Sequence, residues 1–276
     1  MNYIALSYWD LVIAALLIGV NAALSIRLRL SLERPLLIAA CRMVVQLFLL
    51  GLVLKVLFET VSLPFTAAAA LVMVLFAGYE VMGRQERRLK GWWSYGVGTG
   101  CMLFGGTIVT VFALTTQLQP EPWFHPRYAL PLLGMILGNM MTGIALGLNT
   151  LATNVGRERA AIETMLALGY DRADAFRPLV RESMRNGLIP IINSMSATGL
   201  VSIPGMMTGQ ILAGADPWDA IKYQLLVMFL IAGATGIGAG SAIYAMAARL
   251  TDARHRLRLD RLTARRPEAI GRRAVK

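Results

Sequence analysis

Of 276 residues, 56% are hydrophobic and only 16% charged, against about 45–50% apolar and about 25% charged in an ordinary soluble domain. The net charge of +11 does not describe a nucleic-acid binder, because the cations fall between apolar blocks and in the tail rather than in one patch. A soluble globular domain and a nucleic-acid module are thereby excluded. What is left is one all-α membrane domain over 1–248, followed by a basic tail, 249–276, expected to be helical near the membrane and disordered beyond.

A spanning helix needs about 20 mostly apolar residues, each rising about 1.5 Å through a hydrocarbon core of about 30 Å. Segments 7–26, 35–57, 64–82, 92–116, 129–150, 188–213 and 222–248 meet that condition and predict a polytopic transmembrane helical bundle of about seven spans. Residues 1–8 carry no Lys or Arg, so the start lacks the positive charge of a secretory signal. Arg27, Arg29 and Arg34 follow the apolar run instead, which predicts a retained first span with its N-terminus outside. Every Lys and Arg except Arg42, Lys55, Arg127 and Lys222 falls within 27–34, 83–91, 151–187 or 249–276. That asymmetry predicts a cytoplasmic C-terminus. The opposite segments, Gln117–Pro126 and Gly214–Pro217, are too short for a substrate-capturing domain.

On the second span Arg42 and Gln46 stand one turn apart; Arg42 is either a functional intramembrane charge or one that snorkels to the nearby surface. Small residues recur every four positions at Gly96 and Gly100, Gly134 and Gly138, Gly143 and Gly147, and Ala232, Gly236 and Gly240. Such pairs let helices approach closely, whether within the bundle or at a dimer contact. Asn139, Thr142 and Asn149 share a face of the fifth span, and Ser194, Thr198 and Ser202 share one on the sixth, with Asn193 and Ser196 nearby. Both faces are expected to look into the bundle or a wet cavity, because lipid leaves such groups poorly paired. Pro204, Gly205 and Gly209 then predict either a sixth span broken near its outer half or a proline kink. Met206 and Met207, just past that point, are thioethers that suit soft ions and equally serve as packing.

The inner segment 151–187 is patterned. Ala161, Ile162, Met165 and Leu166 form an apolar stripe on a short helix expected to begin near Arg157. Gly169 can close it in a left-handed cap and Asp171 can cap the next helix. That second helix carries Phe176, Leu179, Val180 and Met184 on one side and Arg177, Arg181 and Arg185 on the other, with Pro178 kinking it or delaying its start. Two helices joined at Gly169-Tyr170-Asp171 would either lie flat with their arginines at lipid headgroups or form a knob for a cleft in a cytoplasmic partner. No Gly-x-x-x-x-Gly-Lys-Ser/Thr is present to cradle phosphates. The two histidines, His125 and His255, fall on opposite sides of the expected topology, and Cys41 and Cys101 sit inside apolar blocks without partner spacing. The chain is therefore expected to carry no enzymatic centre, and the residues assign no metal site.

Glu163-Thr-Met-Leu-Ala-Leu-Gly169 resembles the cytoplasmic loop of ABC-transporter permeases, in which Glu-Ala-Ala precedes Gly after three residues; the Ile-x-Leu-Pro that follows there does not stand at its usual distance here. A wider pattern is similar to the FetB-type iron-export permease family. It comprises Leu132–Asn139, Glu163–Asp171, Gly199–Gly209 and Ala220–Gln224, together with Arg42, Gln46 and Asp252-Ala-Arg-His255. The resemblance implies a multi-pass subunit of the bacterial inner (plasma) membrane. Two copies, surrounded by membrane lipid, would work with a separate cytoplasmic ABC ATPase to export iron, another metal ion or a small solute. ATP and magnesium would sit on that ATPase, and this chain would bind no cofactor. Glu163, Ala167, Gly169, Tyr170 and Asp171 would couple to it. The accompanying hypothesis for the path takes Arg42, Gln46, Asn139, Thr142, Asn193, Ser194, Thr198, Ser202, Met206, Met207 and Gln210. An ATP-independent channel or secondary transporter is the alternative, and a membrane scaffold that merely anchors a partner is a second.

Overall fold

The computed structural model describes residues 7–252, 254 and 256–263. Nine helices, α1–α9, follow one another among these residues, with no strands. They pack as two compact units, divided after Thr60.

The first unit is the hairpin of α1 (Tyr8–Arg27) and α2 (Glu33–Thr60). Ser7 opens α1 with a capping box: its Oγ accepts from the Trp9 N–H (3.3 Å), and Asp10 accepts from the Ser7 N–H (2.8 Å). The turn is closed by buried Ser25, whose Oγ accepts from the Leu32 N–H (2.9 Å) and donates to Glu33 (3.0 Å). One side chain thus satisfies groups that the end of α1 and the start of α2 would leave bare.

The second unit comprises α3 (Leu63–Arg84), α4 (Trp93–Phe112, prolonged by a wider turn to Leu118), α5 (Pro126–Arg157), α6 (Arg159–Ala167), α7 (Arg172–Ala197), α8 (Gly205–Leu212) and α9 (Pro217–Arg249). At its centre α5 packs against α3, α4, α7 and α9, with Ile136, Met140, Ile144 and Leu151 fully buried along it. In lipid such packing rests on close backbone approach rather than on expulsion of water, and the glycines provide it. A Cβ at Gly143 would lie 2.8 Å from the Gly187 carbonyl oxygen, and one at Gly147 would lie 2.7 Å from Ile243. The expected pairs therefore divide: Gly143 and Gly147 make close contacts, whereas Gly96 and Gly100 have open space. On that helix Gly98, Gly105 and Gly106 meet neighbours instead.

Six helices are long and apolar enough to cross a membrane: α1, α2, α3, α4 with its extension, α5 and α9. The expected span over 188–213 is not one helix. Its first part belongs to α7, which begins at Arg172 and runs unbroken through Pro178 and Pro190; seven residues then separate it from α8. Pro178 accordingly neither delays nor ends the helix, and the second half of the inner segment is continuous with the span that follows.

The tail also departs from expectation. From Leu250 to Thr263 the chain folds back instead of continuing as helix. Leu262 bridges Leu89 in the α3–α4 connection, the Lys90 N–H donates to the Arg261 carbonyl (2.7 Å), and the Thr263 N–H donates to the Arg88 carbonyl (2.8 Å). Leu89, Leu250 and Leu262 are buried there. Arg261 donates to the Arg249 carbonyl (2.7 Å), a cation on the bare C-terminal carbonyls of α9. Ala253, His255 and 264–276 lie outside the described residues.

Candidate functional site

The α6–α7 corner is held from beneath and open above. Ile162 on α6 and Ala175, Phe176 and Leu179 on α7 are buried, so the apolar stripes expected from the sequence do seat these helices. Asn154, near the end of α5, donates to Glu182 on α7 (2.8 Å), and Asn186 donates to Thr150 (3.3 Å). Gly169 adopts φ +90°, and the N–H groups of Tyr170 and Gly169 donate to Met165 (3.1 Å) and Leu166 (3.2 Å). This is the left-handed cap that a residue without Cβ forms readily. Asp171 stands at the start of α7 with extended backbone, but its side chain makes no capping bond.

Glu163 pairs with Arg159 one turn back (2.8 Å). Glu163, Ala167, Gly169, Tyr170 and Asp171 are all exposed and contiguous on this corner. Leu168, absent from the sequence-based set, is 72% exposed beside Tyr170 at 52%. Its signal was an apolar residue directly ahead of the capping glycine. An exposed apolar tip on a fixed base is what a protein partner would cover.

The second feature is the break between α7 and α8. Gly199 has φ +89°; its N–H donates to the Ser202 carbonyl (2.9 Å), while the N–H groups of Val201 and Ser202 donate to Ala197 (3.0 and 3.2 Å). The irregular backbone thus answers several of its own polar groups, as non-helical chain would have to at membrane depth. Met206, Met207 and Gln210 follow on α8, each half-buried. The Oε1 atoms of Gln210 and of Gln224, on the adjoining α9, are buried without a hydrogen-bond partner among the described residues. Gln224 ends the Ala220–Gln224 stretch named from the sequence but was not placed on the path; the expected span began at 222, whereas α9 begins at Pro217 and sets this amide two turns inside it.

The expected polar faces are arranged differently from the sequence reading. Asn139, Asn193, Ser194 and Ser202 are exposed in a single copy, and Thr142 and Thr198 half-buried. The inward side of α5 and α7 is taken by the Gly143–Gly187 contact, which leaves the polar stripes on the outside. Asn139 and Thr198 each bond a carbonyl four residues back (2.9 and 2.7 Å). Asn149 instead closes the end of α3, donating to the Arg84 carbonyl (3.1 Å) and accepting from the Glu86 N–H (2.9 Å). Arg42 and Gln46 lie on exposed positions of α2, in the first unit. Among the described residues no three His, Cys, Asp or Glu side chains come together; the donors on and around α8 are amide oxygens and thioethers.

A family model described as "Uncharacterised protein family (UPF0014)" matches residues 8–251. The chain belongs to the UPF0014 family. Among UPF0014 relatives, the Escherichia coli K12 protein called "Probable iron export permease protein FetB" is 33% identical over 257 residues, covering 93% of this chain and 97% of that protein. The rice "UPF0014 membrane protein STAR2" is 36% identical over 233 residues, 84% of this chain and 80% of its own length. "Protein ALUMINUM SENSITIVE 3" of Arabidopsis thaliana is 33% identical over 232 residues, 84% and 83%. No solved structure matches significantly. The family assignment agrees with the resemblance read from the sequence, and the matched range of this UPF0014 member takes in every helix of both units.

Proposed function

We propose that this multi-pass membrane protein is the permease subunit of an ATP-driven exporter whose ATPase is a separate chain, and that its cargo is iron or another metal ion. The α6–α7 corner carries this reading. Two short-linked helices, seated by Ile162 and Phe176 and clasped to α5 through Asn154 and Glu182, present Leu168, Gly169 and Tyr170 outward. A push on that corner is transmitted along α7, which is one helix from Arg172 to the break at Thr198. The positive bias of the segments bearing the corner supports a cytoplasmic position for it, where an ATPase works.

Two copies would bring the outward polar groups of α5, α7 and the break after it, Asn139, Asn193, Ser194 and Ser202, to a shared seam. Groups that lipid leaves poorly paired then line a path. The cargo is read from the name of the Escherichia coli relative, "Probable iron export permease protein FetB"; amide and hydroxyl oxygens suit a hard or borderline cation and Met206 and Met207 a softer one. The test is a photo-reactive side chain at position 170 in cells that also produce an ABC ATPase. Cross-linking to the ATPase from 170, and none from a matched probe at Trp123, is expected. Equal cross-linking from both, or none from 170 while the two chains co-purify, would overturn the docking assignment.

A further inference from the structure

The outer side of α7 and the end of α9 enclose a groove of about 660 Å³ lined by both arginines and apolar side chains. Phe176, Val180, Met184 and Ala248 form its apolar floor; Arg172 stands toward one edge and Arg177 and Arg181 toward the other, about half a helical turn away, with Tyr244, 64% exposed, at its side. The depth of the groove follows from α9. Its first turns carry Trp218 and Tyr223, aromatics of the kind that mark one membrane boundary. About 20 residues further, one hydrocarbon thickness of about 30 Å at 1.5 Å each, stand Ile243 and Tyr244. Ile243 and the Ser183 carbonyl both lie against Gly147, so Ser183 on α7 shares that level. Arg181, two residues further out, therefore stands at headgroup depth, just on the aqueous side. Arg249 stacks over Trp93 at 4.0 Å close by, a second basic and aromatic marker of the same boundary.

The charge balance leaves the groove positive. Asp174 is engaged by Arg177 (2.6 Å), and Glu182 is held by Asn154 on α5 (2.8 Å). Arg172 and Arg181 have no carboxylate within ion-pairing distance among the described residues. Neither a soluble anion nor a neutral lipid uses both halves of such a surface. We infer that this groove is a binding site for an anionic phospholipid, its phosphate among the arginines that line the groove, Arg181 foremost, and an acyl chain leaving past Met184 toward the hydrocarbon. The site would fasten the moving helix α7 to the leaflet on which the coupling corner stands. The inference rests on the membrane-spanning fold and not on coupling to an ATPase, so either can fail alone.

Native mass spectrometry of the full chain in detergent, titrated with phosphatidylglycerol or phosphatidylcholine, reads the site. Phosphatidylglycerol is expected to be retained and phosphatidylcholine not. R172Q/R181Q should weaken retention on the order of 30-fold, the product of two surface cations. A248W, which fills the floor and leaves every charge in place, should weaken it as well. R172K/R181K should retain binding, and R27Q/R29Q, removing two exposed cations elsewhere, should leave it unchanged. Retention untouched in both groove variants, or lost equally in R27Q/R29Q, would overturn the site. Loss confined to the arginine variant, with inorganic phosphate competing, would make it a free-anion site and overturn the lipid assignment. A photo-probe at position 248 that captured a protein instead of lipid in native membranes would do the same.

Discussion

Replacing Gly143 with alanine tests how α7 is held against α5. The added Cβ would stand 2.7 Å from the Thr235 methyl carbon and 2.8 Å from the carbonyl oxygen of Gly187. The threonine can turn aside, but the carbonyl belongs to the α7 backbone and cannot. Restoring ordinary contact requires α5 and α7 to part by roughly 0.5–1 Å, a gap that forfeits a quarter to a half of the dispersion energy across the opened contact. Overpacking of this kind costs about 1–3 kcal/mol. At Gly138, on the same helix, nothing lies within 4 Å of an added Cβ, and alanine there should be neutral or gain about 0.5–1 kcal/mol from reduced backbone freedom. Thermal unfolding of the two purified variants, followed by tryptophan fluorescence in one detergent, compares them directly. The midpoint of G143A should fall by several degrees, about 2–4 °C per kcal/mol in a chain of this size, while G138A holds or rises. Equal midpoints would refute the close approach of α5 and α7.

At Gly169, φ +90° resists a β-branched side chain, at a cost of about 1–2 kcal/mol in the left-handed region; G169V should leave insertion intact and abolish stimulation of ATP hydrolysis by cargo, measured with the ATPase present. L262D places a charge where Leu262 is 4% exposed and should release the tail from the α3–α4 connection, read as faster proteolytic cleavage within 250–263. The same fold-back responds to acid. Hydrogen bonds from the Arg256 backbone N–H, followed by its guanidinium, hold the Asp252 carboxyl below its ordinary value, and the Arg258 guanidinium holds Asp260 at about 2. Carboxylates so lowered stabilise the fold above their unfolded value of about 4 and cease to as pH falls below it. Amide exchange over 250–263, corrected for intrinsic rate, should therefore be unchanged from pH 7 to 5 and accelerate between about pH 4 and 2; acceleration already at pH 6 would contradict the assignment.

The spans that could be read from the sequence were those whose apolar residues run for a full membrane thickness, since that condition needs no partner. Helix α7 was not legible as one element because polarity changes along it. Arg172 to Arg185 is rich in charge and Leu188 to Ile192 is apolar, but backbone hydrogen bonding is indifferent to that change and carries the helix across it. Gly169 was legible because a left-handed cap is a local event. The tail was not, because Leu262 finds its place only against Leu89, brought there by folding. Spacing likewise identified small residues without saying which met a neighbour: Gly143 did, whereas Gly96 and Gly100 did not. The polar face of α5 was found, but in one chain Asn139 is left outside, because the Gly143–Gly187 contact that takes the inward side is a property of two helices together.

Metal flux measured in sealed vesicles containing this chain and its ATPase tests the central proposal most directly. The account predicts iron movement that requires both chains and ATP and stops when Gly169 is made valine. Equal flux from vesicles holding this chain alone, without ATP, would contradict it and make the protein a channel or secondary transporter.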